Sequence, residues 1–388
     1  MFLVLAVVWA QSIAFAQEQQ PEEQPKSTLK LDTGKEIWEA ACVGCHGSDG
    51  KGQPYSTLGF ETPATFPDFT DCNGSTREMS LQWSSVIHNG GPARAFSQIM
   101  PSFGPAEEPA LTDDQIKKVI EYARSFCEED NHWPSGDFNF ARPMFTEKAF
   151  PEDELVLFTQ VNSNGSGFSH NMIIEKRFGA IWNLETRFRG GFEQSPAGTW
   201  FGAVGDTSFE LKRSMYINNK RGQLLAWGNE LLVPTGTPSL GQGNGQTFFE
   251  SFLSFGQILP HNSYFQGQVG SEAPIFHRHQ QPTEVYFRTA TGKAFNQDRG
   301  FGRSWTPAFE FTGYRGLGPY QKWALDIVPE VQVTLSKRQH MRLGVGIDIP
   351  IYNVNVQVPG QAFQVRQKGL VFYLLWDTFD GGLLEGWR

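Results

Sequence analysis

Apolar residues in the first third of the chain recur with the spacing of an α-helix. Ile37, Trp38 and Ala41 share one face of a helix predicted over 32–45, which Gly47 ends. The same spacing predicts helices over 77–89 and 112–126. Thr112 and Gln115 form a capping box at the start of the last one. Its buried stripe is predicted to contain Ile116, Val119, Ile120 and Ala123.

From Glu154 onward the period of the apolar positions changes from 3.6 to 2. Leu325, Ile327 and Val331 alternate with Asp326 and Glu330, for example. Roughly twelve runs show this alternation: 155–163, 170–177, 181–190, 206–217, 222–234, 246–258, 262–272, 283–291, 304–314, 323–335, 339–350 and 366–377. Most exceed the length of ordinary strands, which centre on about five or six residues.

Long strands with one apolar and one polar face are typical of a transmembrane β-barrel. Lipid would contact the apolar face, and closure of the sheet would satisfy the backbone groups that lipid cannot. An even strand number is also what a single-chain bacterial barrel needs. The predicted fold class is therefore a multidomain α + all-β protein, a small helical domain followed by an antiparallel barrel of about 12 strands. A soluble β-sandwich is the alternative.

The sequence divides into five predicted segments. Residues 1–16 are apolar and close on Ala14-Phe15-Ala16, which predicts a signal peptide, although no basic residue precedes Lys26 and the true start is expected upstream. Residues 17–31 are polar and predict a disordered tether. The helical domain covers 32–127, a turn-rich linker 128–153, and the barrel 154–388. Export is therefore expected, without a helical anchor.

Charge is distributed unevenly between the two halves. Residues 17–153 hold 11 Lys and Arg against 23 Asp and Glu, whereas residues 154–388 hold 21 against 18. Neither half carries a basic stripe, which argues against nucleic acid as a partner.

The run Cys42-Val43-Gly44-Cys45-His46 is a C-x-x-C-H motif, which predicts covalent attachment of one c-type haem. Cys42 and Cys45 would form thioethers with the two vinyl groups, and His46 would be the proximal ligand of the iron. A redox pair would need a βαβ context and a zinc site two further ligands, and neither is visible. An exported protein also suits haem attachment, which takes place outside the cytosol.

Met100 is the candidate for the second axial ligand. It precedes Pro101 in a loop 54 positions after His46, which leaves enough chain to pass round the haem. Met79 competes, but it lies on an apolar helical face where a packing residue is expected.

Cys72 and Cys127 remain outside the haem motif. In an oxidising compartment they are expected to pair as a disulfide, the alternative being two free buried thiols.

Residues 32–127 resemble a class I monohaem cytochrome c. The resemblance rests on CVGCH at 42–46, the MPSF loop at 100–103 and the capped terminal helix at 112–126. It implies a small helical fold with His46 and Met100 as axial ligands. The stretch 66–72 and Cys127 depart from the plainest members of that family.

The second half resembles a family of outer-membrane barrels often named for phenol-degradation gene clusters. Gly205-Asp206 at the start of a strand, ELLVPTG at 230–236 and GQGNG at 241–245 carry this resemblance. It implies a barrel in the outer membrane, with the haem domain in the periplasm.

Other candidate residues receive structural interpretations. His277 and His279 share a strand face but have no third ligand nearby, and a loop is the expected place for them. Glu310, Glu330 and Asp348 could act as acid–base groups, but the lining of a barrel routinely carries such residues. We find no nucleophile elbow, phosphate loop or second haem motif.

The sequence therefore predicts electron transfer by a haem domain attached to an outer-membrane barrel, rather than an enzyme. The expected partners are a redox partner protein, outer-membrane lipid and a small solute passing through the barrel. A transport protein whose haem domain docks a redox partner is the alternative, and a subunit that feeds electrons to a separate oxidoreductase is a third.

Overall fold

The computed structural model describes residues 31–378, apart from positions 64, 76, 108 and 241 and the segments 128–132, 195–197, 277–282, 297–302, 318–321 and 356–367. The predicted signal peptide and nearly all of the predicted tether lie outside these residues. The described part contains a helical domain at 31–127 and a barrel from Glu154 onward.

The helical domain contains short helices and two longer ones. Their bounds are α1 Gly34–Ile37, α2 Val43–His46, α3 Tyr55–Leu58, α4 Cys72–Ser75, α5 Ser80–Asn89 and α6 Asp113–Ser125. A π-helical turn, Trp38–Cys42, joins α1 to α2. The core packs α1 and the π turn against α6 through Ile37, Trp38, Ile116, Val119, Ile120 and Ala123. No helix of the described residues is long and apolar enough to cross a membrane.

The second half is an antiparallel sheet that closes on itself. Its strands are β1 Glu154–Asn162, β2 Gly167–Phe178, β3 Trp182–Gln194, β4 Trp200–Val204, β5 Thr207–Asn218, β6 Gln223–Val233, β7 Phe248–Leu259, β8 Ser263–Pro274, β9 Glu284–Lys293, β10 Phe295–Asn296, β11 Ser304–Gly316, β12 Lys322–Thr334, β13 Met341–Asn355 and β14 Gly369–Asp377. β1 pairs with β14, and β9 pairs with β11, which completes the ring.

Twelve of these strands form the barrel wall, and each corresponds to one of the runs predicted from the sequence. The two others are short and lie off the ring, since β4 pairs with the end of β3 and β10 pairs with the start of β11. The prediction of a helical domain followed by a barrel of about twelve strands is therefore confirmed.

The barrel wall is polar inside and apolar outside. On β5, Ser208, Glu210 and Lys212 are buried, whereas Phe209 and Leu211 between them are exposed. The outward residues of neighbouring strands lie side by side, as in the row Phe209, Leu231 and Phe249. This arrangement reverses that of a soluble protein and matches a wall that contacts lipid.

The two ends of the barrel differ in their connections. One end carries four connections of three to six residues, 179–181, 219–222, 260–262 and 335–340, the longer connection 294–303, and the start of β1 and the end of β14. We call it the short-turn end. The other end carries longer connections such as 234–247 and 275–283, and we call it the long-loop end.

Residues 139–153, which the sequence analysis assigns to a linker, lie inside the barrel. Backbone groups of this segment bond to Glu310 on β11, Gln332 on β12 and Gln268 on β8. Side chains of the segment reach β2 and β5 as well. Contacts to strands all round the ring are possible only from the lumen, and we call this segment the plug.

Candidate functional site

The C-x-x-C-H motif lies at the end of the first helical stretch. Thr33 caps α1 by accepting from the backbone N–H of Glu36 at 3.2 Å, while the carboxylate of Glu36 accepts from the N–H of Thr33 at 2.9 Å. Gly47 ends α2 with φ of 76°, a conformation that favours glycine. The local sequence therefore places His46 at the last helical position, where the chain turns away.

The motif presents two thiols and one imidazole in a buried setting. Cys42 and Cys45 are half-buried and outside any disulfide. Burial, and next the neighbouring Cys45, raise the pKa of the Cys42 thiol to about 12, so this thiol is protonated at neutral pH. Burial lowers the pKa of His46 to about 4, so its ring is neutral, as an iron ligand must be.

Aromatic rings surround His46. Phe66 stacks on the imidazole at 5.0 Å between ring centroids, and Phe69 and Trp38 lie at 5.2 and 5.8 Å. The Nδ1 atom of His46 is buried and has no hydrogen-bond partner among the described residues. Two unpaired thiols beside a neutral, buried imidazole form the donor set that a c-type haem requires, so the residues present fit this group.

Met100 packs against the same core cluster as Cys42 and Val43. The loop that carries it is closed by a bond from the N–H of Gly91 to the carbonyl of Met100 at 3.1 Å. Met79 instead occupies the N-cap of α5 and lines a small cavity beside Asp153, which precedes β1, and Arg177 of β2. The structure thus places Met100, and not Met79, with the core that surrounds the motif.

Cys72 and Cys127 form a disulfide, as predicted. It joins the start of α4 to the residue that follows the last helix, across 55 positions of sequence. The bridge therefore ties the stretch before α5 to the end of α6.

The helical domain and the segment that follows it contact the short-turn end of the barrel and the end of the plug at three places. Arg77 pairs with Asp153 at the end of the plug. Asn219, in a barrel turn, accepts from the N–H of Ser135 at 3.1 Å and donates to the carbonyl of Trp133 at 2.9 Å. The third contact joins Arg94 to Arg338, in the turn between β12 and β13.

The plug is held by charges on both sides. Arg142 lies among four wall or plug carboxylates, with a bond to Glu175 and oxygens of Glu154 and Glu152 at 3.4 and 3.8 Å. The carboxylates of Glu152, Glu154 and Glu175 come within 4.8 Å of one another, and Arg142 and Lys148 of the plug are cations beside them. Glu147 of the plug in turn accepts from Lys212 of β5 at 2.6 Å.

Carboxylates of the wall also bind the backbone of the plug. Glu310 accepts from the N–H groups of Phe145 and Thr146 at 3.1 Å, and Glu330 accepts from the N–H of Met144 at 3.1 Å. Glu310 and Glu330, weighed in the sequence as acid–base candidates, thus have a structural role. Asp348 instead lines a cavity beyond the plug.

That cavity has a volume of about 240 Å³ and lies between Phe145 and the long-loop end. Its lining is acidic, with Glu250, Glu272, Glu284, Asp326 and Asp348 facing one arginine, Arg288. The plug forms its floor.

Two other predicted features have clear outcomes. Asp206 is buried and accepts from the N–H groups of Gly236 at 2.9 Å and Asn244 at 2.7 Å, so the barrel motifs meet around one carboxylate. His277 and His279 lie outside the described residues. The sequence analysis missed Arg142, Glu147 and Lys148 as plug residues, although the i, i+4 pair Lys148–Glu152 was a visible signal.

The family model for cytochrome c matches residues 31–126. Comparison with curated proteins gave no match. Among solved structures, an outer membrane channel from Pseudomonas putida F1 is 12% identical, with a TM-score of 0.41, and the match covers 61% of this chain and 99% of that one. The NanC porin is 10% identical, with a TM-score of 0.40 and coverage of 57% and 97%. The KdgM porin is 11% identical, with a TM-score of 0.37 and coverage of 57% and 98%.

Proposed function

We propose that this protein, whose residues 31–126 match the cytochrome c family, transfers electrons at the periplasmic mouth of an outer-membrane barrel. The observation that carries the proposal is the C-x-x-C-H motif at the end of α2, with a neutral, buried His46 and two thiols outside any disulfide. A bound haem c would supply one-electron exchange between ferric and ferrous iron.

The residues of the domain have separate roles in this proposal. Cys42 and Cys45 would form the two thioethers and keep the group attached. His46 and Met100 would be the iron ligands, and a thioether ligand would give a higher potential than a second imidazole. With both ligands supplied by the protein, the domain would act as an electron carrier rather than a catalyst.

The connections of the barrel support this orientation. Bacterial barrels keep short turns on the periplasmic side and longer loops outside. The helical domain contacts Arg338, and the segment that follows it contacts Asn219. Both residues lie in turns of the short-turn end, which also carries the start of β1 and the end of β14. We therefore assign the haem domain to the periplasm and the acidic cavity to the outer face.

A redox partner protein then has to reach the helical domain from the periplasm. Arg77, Arg94 and Arg124 of this domain face the barrel or the segment that leads to it. Residues 32–127 hold 13 Asp and Glu against 7 Lys and Arg, and three of these seven cations are engaged in those contacts. A partner with a basic surface would be favoured by charge complementarity.

The first test is a reduced-minus-oxidised visible spectrum of separated membrane and soluble fractions. We expect a c-type α-band in the outer membrane only, together with a Met–iron charge-transfer band. Met100→Leu should abolish the charge-transfer band and leave the α-band, whereas the matched control Met79→Leu should keep both. A c-type signal in the soluble fraction would contradict the membrane assignment, and loss of the band in Met79→Leu alone would contradict the ligand assignment.

A transport function is the second candidate, and the cavity at the long-loop end favours it. Net negative lining would attract a cationic solute rather than an anionic one. The plug closes the route to the periplasm, so transport would require the plug to move. The test compares the conductance of the intact protein with that of Arg142→Gln, which weakens the plug. A conductance that rises in the variant would support transport through the barrel.

A further inference from the structure

The contact between Arg338 and the helical domain falls on the loop that carries Met100. This loop, residues 90–103 (the Met100 loop), contains a 3-10 turn at Gly91–Arg94 and returns to its own start through the bond between Gly91 and Met100. Its tip is Ala95, whose φ of 58° is left-handed, a strained conformation for a residue with a Cβ.

The side chain of Arg338 makes three contacts with the tip of this loop. Its guanidinium donates to the carbonyls of Arg94 and Ala95, and its Cζ atom lies 4.6 Å from the centre of the Phe96 ring. Arg94 donates back to the carbonyl of Arg338. Both arginines are buried, with 2% and 7% of their surface exposed. Three successive residues of the Met100 loop are therefore held by one barrel side chain.

The barrel turn that presents Arg338 is itself fixed. The side chain of Ser336 bonds to the His340 ring at 3.0 Å and accepts from the N–H of Met341 at 3.3 Å. The carbonyl of His340 accepts from the N–H of Asp377 on β14 at 2.7 Å. Ser336 and His340 are fully buried. A rigid turn therefore presents Arg338 to the loop.

We propose that Arg338 is a positioning residue for the Met100 ligand, so that the barrel, and not the helical domain alone, holds the sulfur at the iron. This inference rests on the proposed function, in which Met100 is an axial ligand. Release of the tip lets Ala95 leave its strained conformation, and because Gly91 is bonded to Met100, the movement reaches the ligand. Weaker thioether ligation lowers the potential.

The test uses the full-length, haem-loaded protein in detergent, with three variants. Arg338→Ala removes the two hydrogen bonds and the ring contact with the Met100 loop. Arg338→Lys keeps the charge but loses the forked donors that reach two carbonyls. Lys337→Ala changes the exposed neighbour in the same turn and is the matched control. Heat-modifiable migration in gels reports whether the barrel has formed.

We expect Arg338→Ala to keep the α-band, lose part of the Met–iron charge-transfer band and shift the midpoint potential downward. Arg338→Lys should show the same changes to a smaller degree, which separates geometry from charge, since the charge is unchanged. Lys337→Ala should match the wild type. If Arg338→Ala fails to form a barrel, Arg338→Lys gives the result.

A charge-transfer band and a potential equal to those of Lys337→Ala in both Arg338 variants would overturn the inference while leaving the electron-transfer function intact. Absence of the band in the wild type would instead contradict Met100 as ligand, and the inference would fail with it.

Discussion

Arg142→Gln is the sharpest test of the plug. The guanidinium of Arg142 bonds to Glu175 and lies near Glu152, Glu154 and, at 3.9 Å, Glu185, all of them buried. Glu152 and Glu154 also pair with Lys148, so Glu175 is the carboxylate that the loss of Arg142 affects most. The backbone contacts of residue 142, from its N–H to Gln332 and from Tyr373 to its carbonyl, stay in place in the variant. The substitution therefore removes the charge and little else.

The expected cost follows from this geometry. Breaking a buried ion pair by removing one partner costs about 3–5 kcal/mol, because the other charge is left uncompensated. Since about 1.4 kcal/mol is a factor of ten, the ratio of seated to unseated plug should fall roughly a hundredfold to several thousandfold. Single-channel recording in planar bilayers measures this ratio as the fraction of time that the pore conducts.

We expect long closed periods in the wild type and frequent openings in Arg142→Gln. Arg189→Ala is the matched control, since it breaks a lumen ion pair with Glu230 at 3.1 Å that does not involve the plug. The double variant Arg142→Gln/Glu175→Gln removes both charges of one pair and should recover part of the closure. Equal closure in Arg142→Gln and wild type, with a normally folded barrel, would refute the reasoning.

Two further predictions concern the helical domain and the long-loop end of the barrel. Replacing Cys72 and Cys127 by Ala should lower the free energy of unfolding of the helical domain by up to about 4 kcal/mol, since the bridge closes a loop of 55 positions. Thermal melts followed at the haem absorption measure this loss, and an unchanged melting temperature would contradict it. Asp206→Ala should free the segment around Gly236 and Asn244, because two backbone N–H groups lose their acceptor. Protease cleavage of that loop should accelerate, whereas Asp137→Ala, in the segment between the helical domain and the plug, should not change it.

The sequence was sufficient where the determining interactions are local or periodic. The alternation of Phe209 and Leu211 with Glu210 and Lys212 predicts a strand with one lipid face, and the structure has it. The motif at 42–46 and the capping box at Thr112 depend on residues a few positions apart. Two cysteines outside the motif left one intramolecular disulfide to predict, and it forms.

The rest depended on contacts that no local pattern shows. Arg142 meets Glu175 and Gln332, the second of them 190 positions away, and nothing periodic distinguishes the plug from a linker. Arg94 and Arg338 are 244 positions apart, and two arginines in contact are not a pair that charge alone predicts. The acidic residues of the lumen illustrate the same limit. Glu310 occupies an inward position of the alternating pattern, and nothing in that pattern shows that it accepts from the backbone of the plug.

The closure of the ring between β1 and β14 has a consequence for the order of assembly. Glu154 pairs with Asp377, and the carbonyl of Asp153 accepts from the N–H of Thr378 at 2.9 Å, so the last residue of the plug is joined to the end of the final strand. Contacts within the helical domain join residues that are close in sequence, whereas the ring closes only when the last strand pairs with β1. Since local contacts form faster than distant ones, we expect the helical domain to fold before the barrel closes.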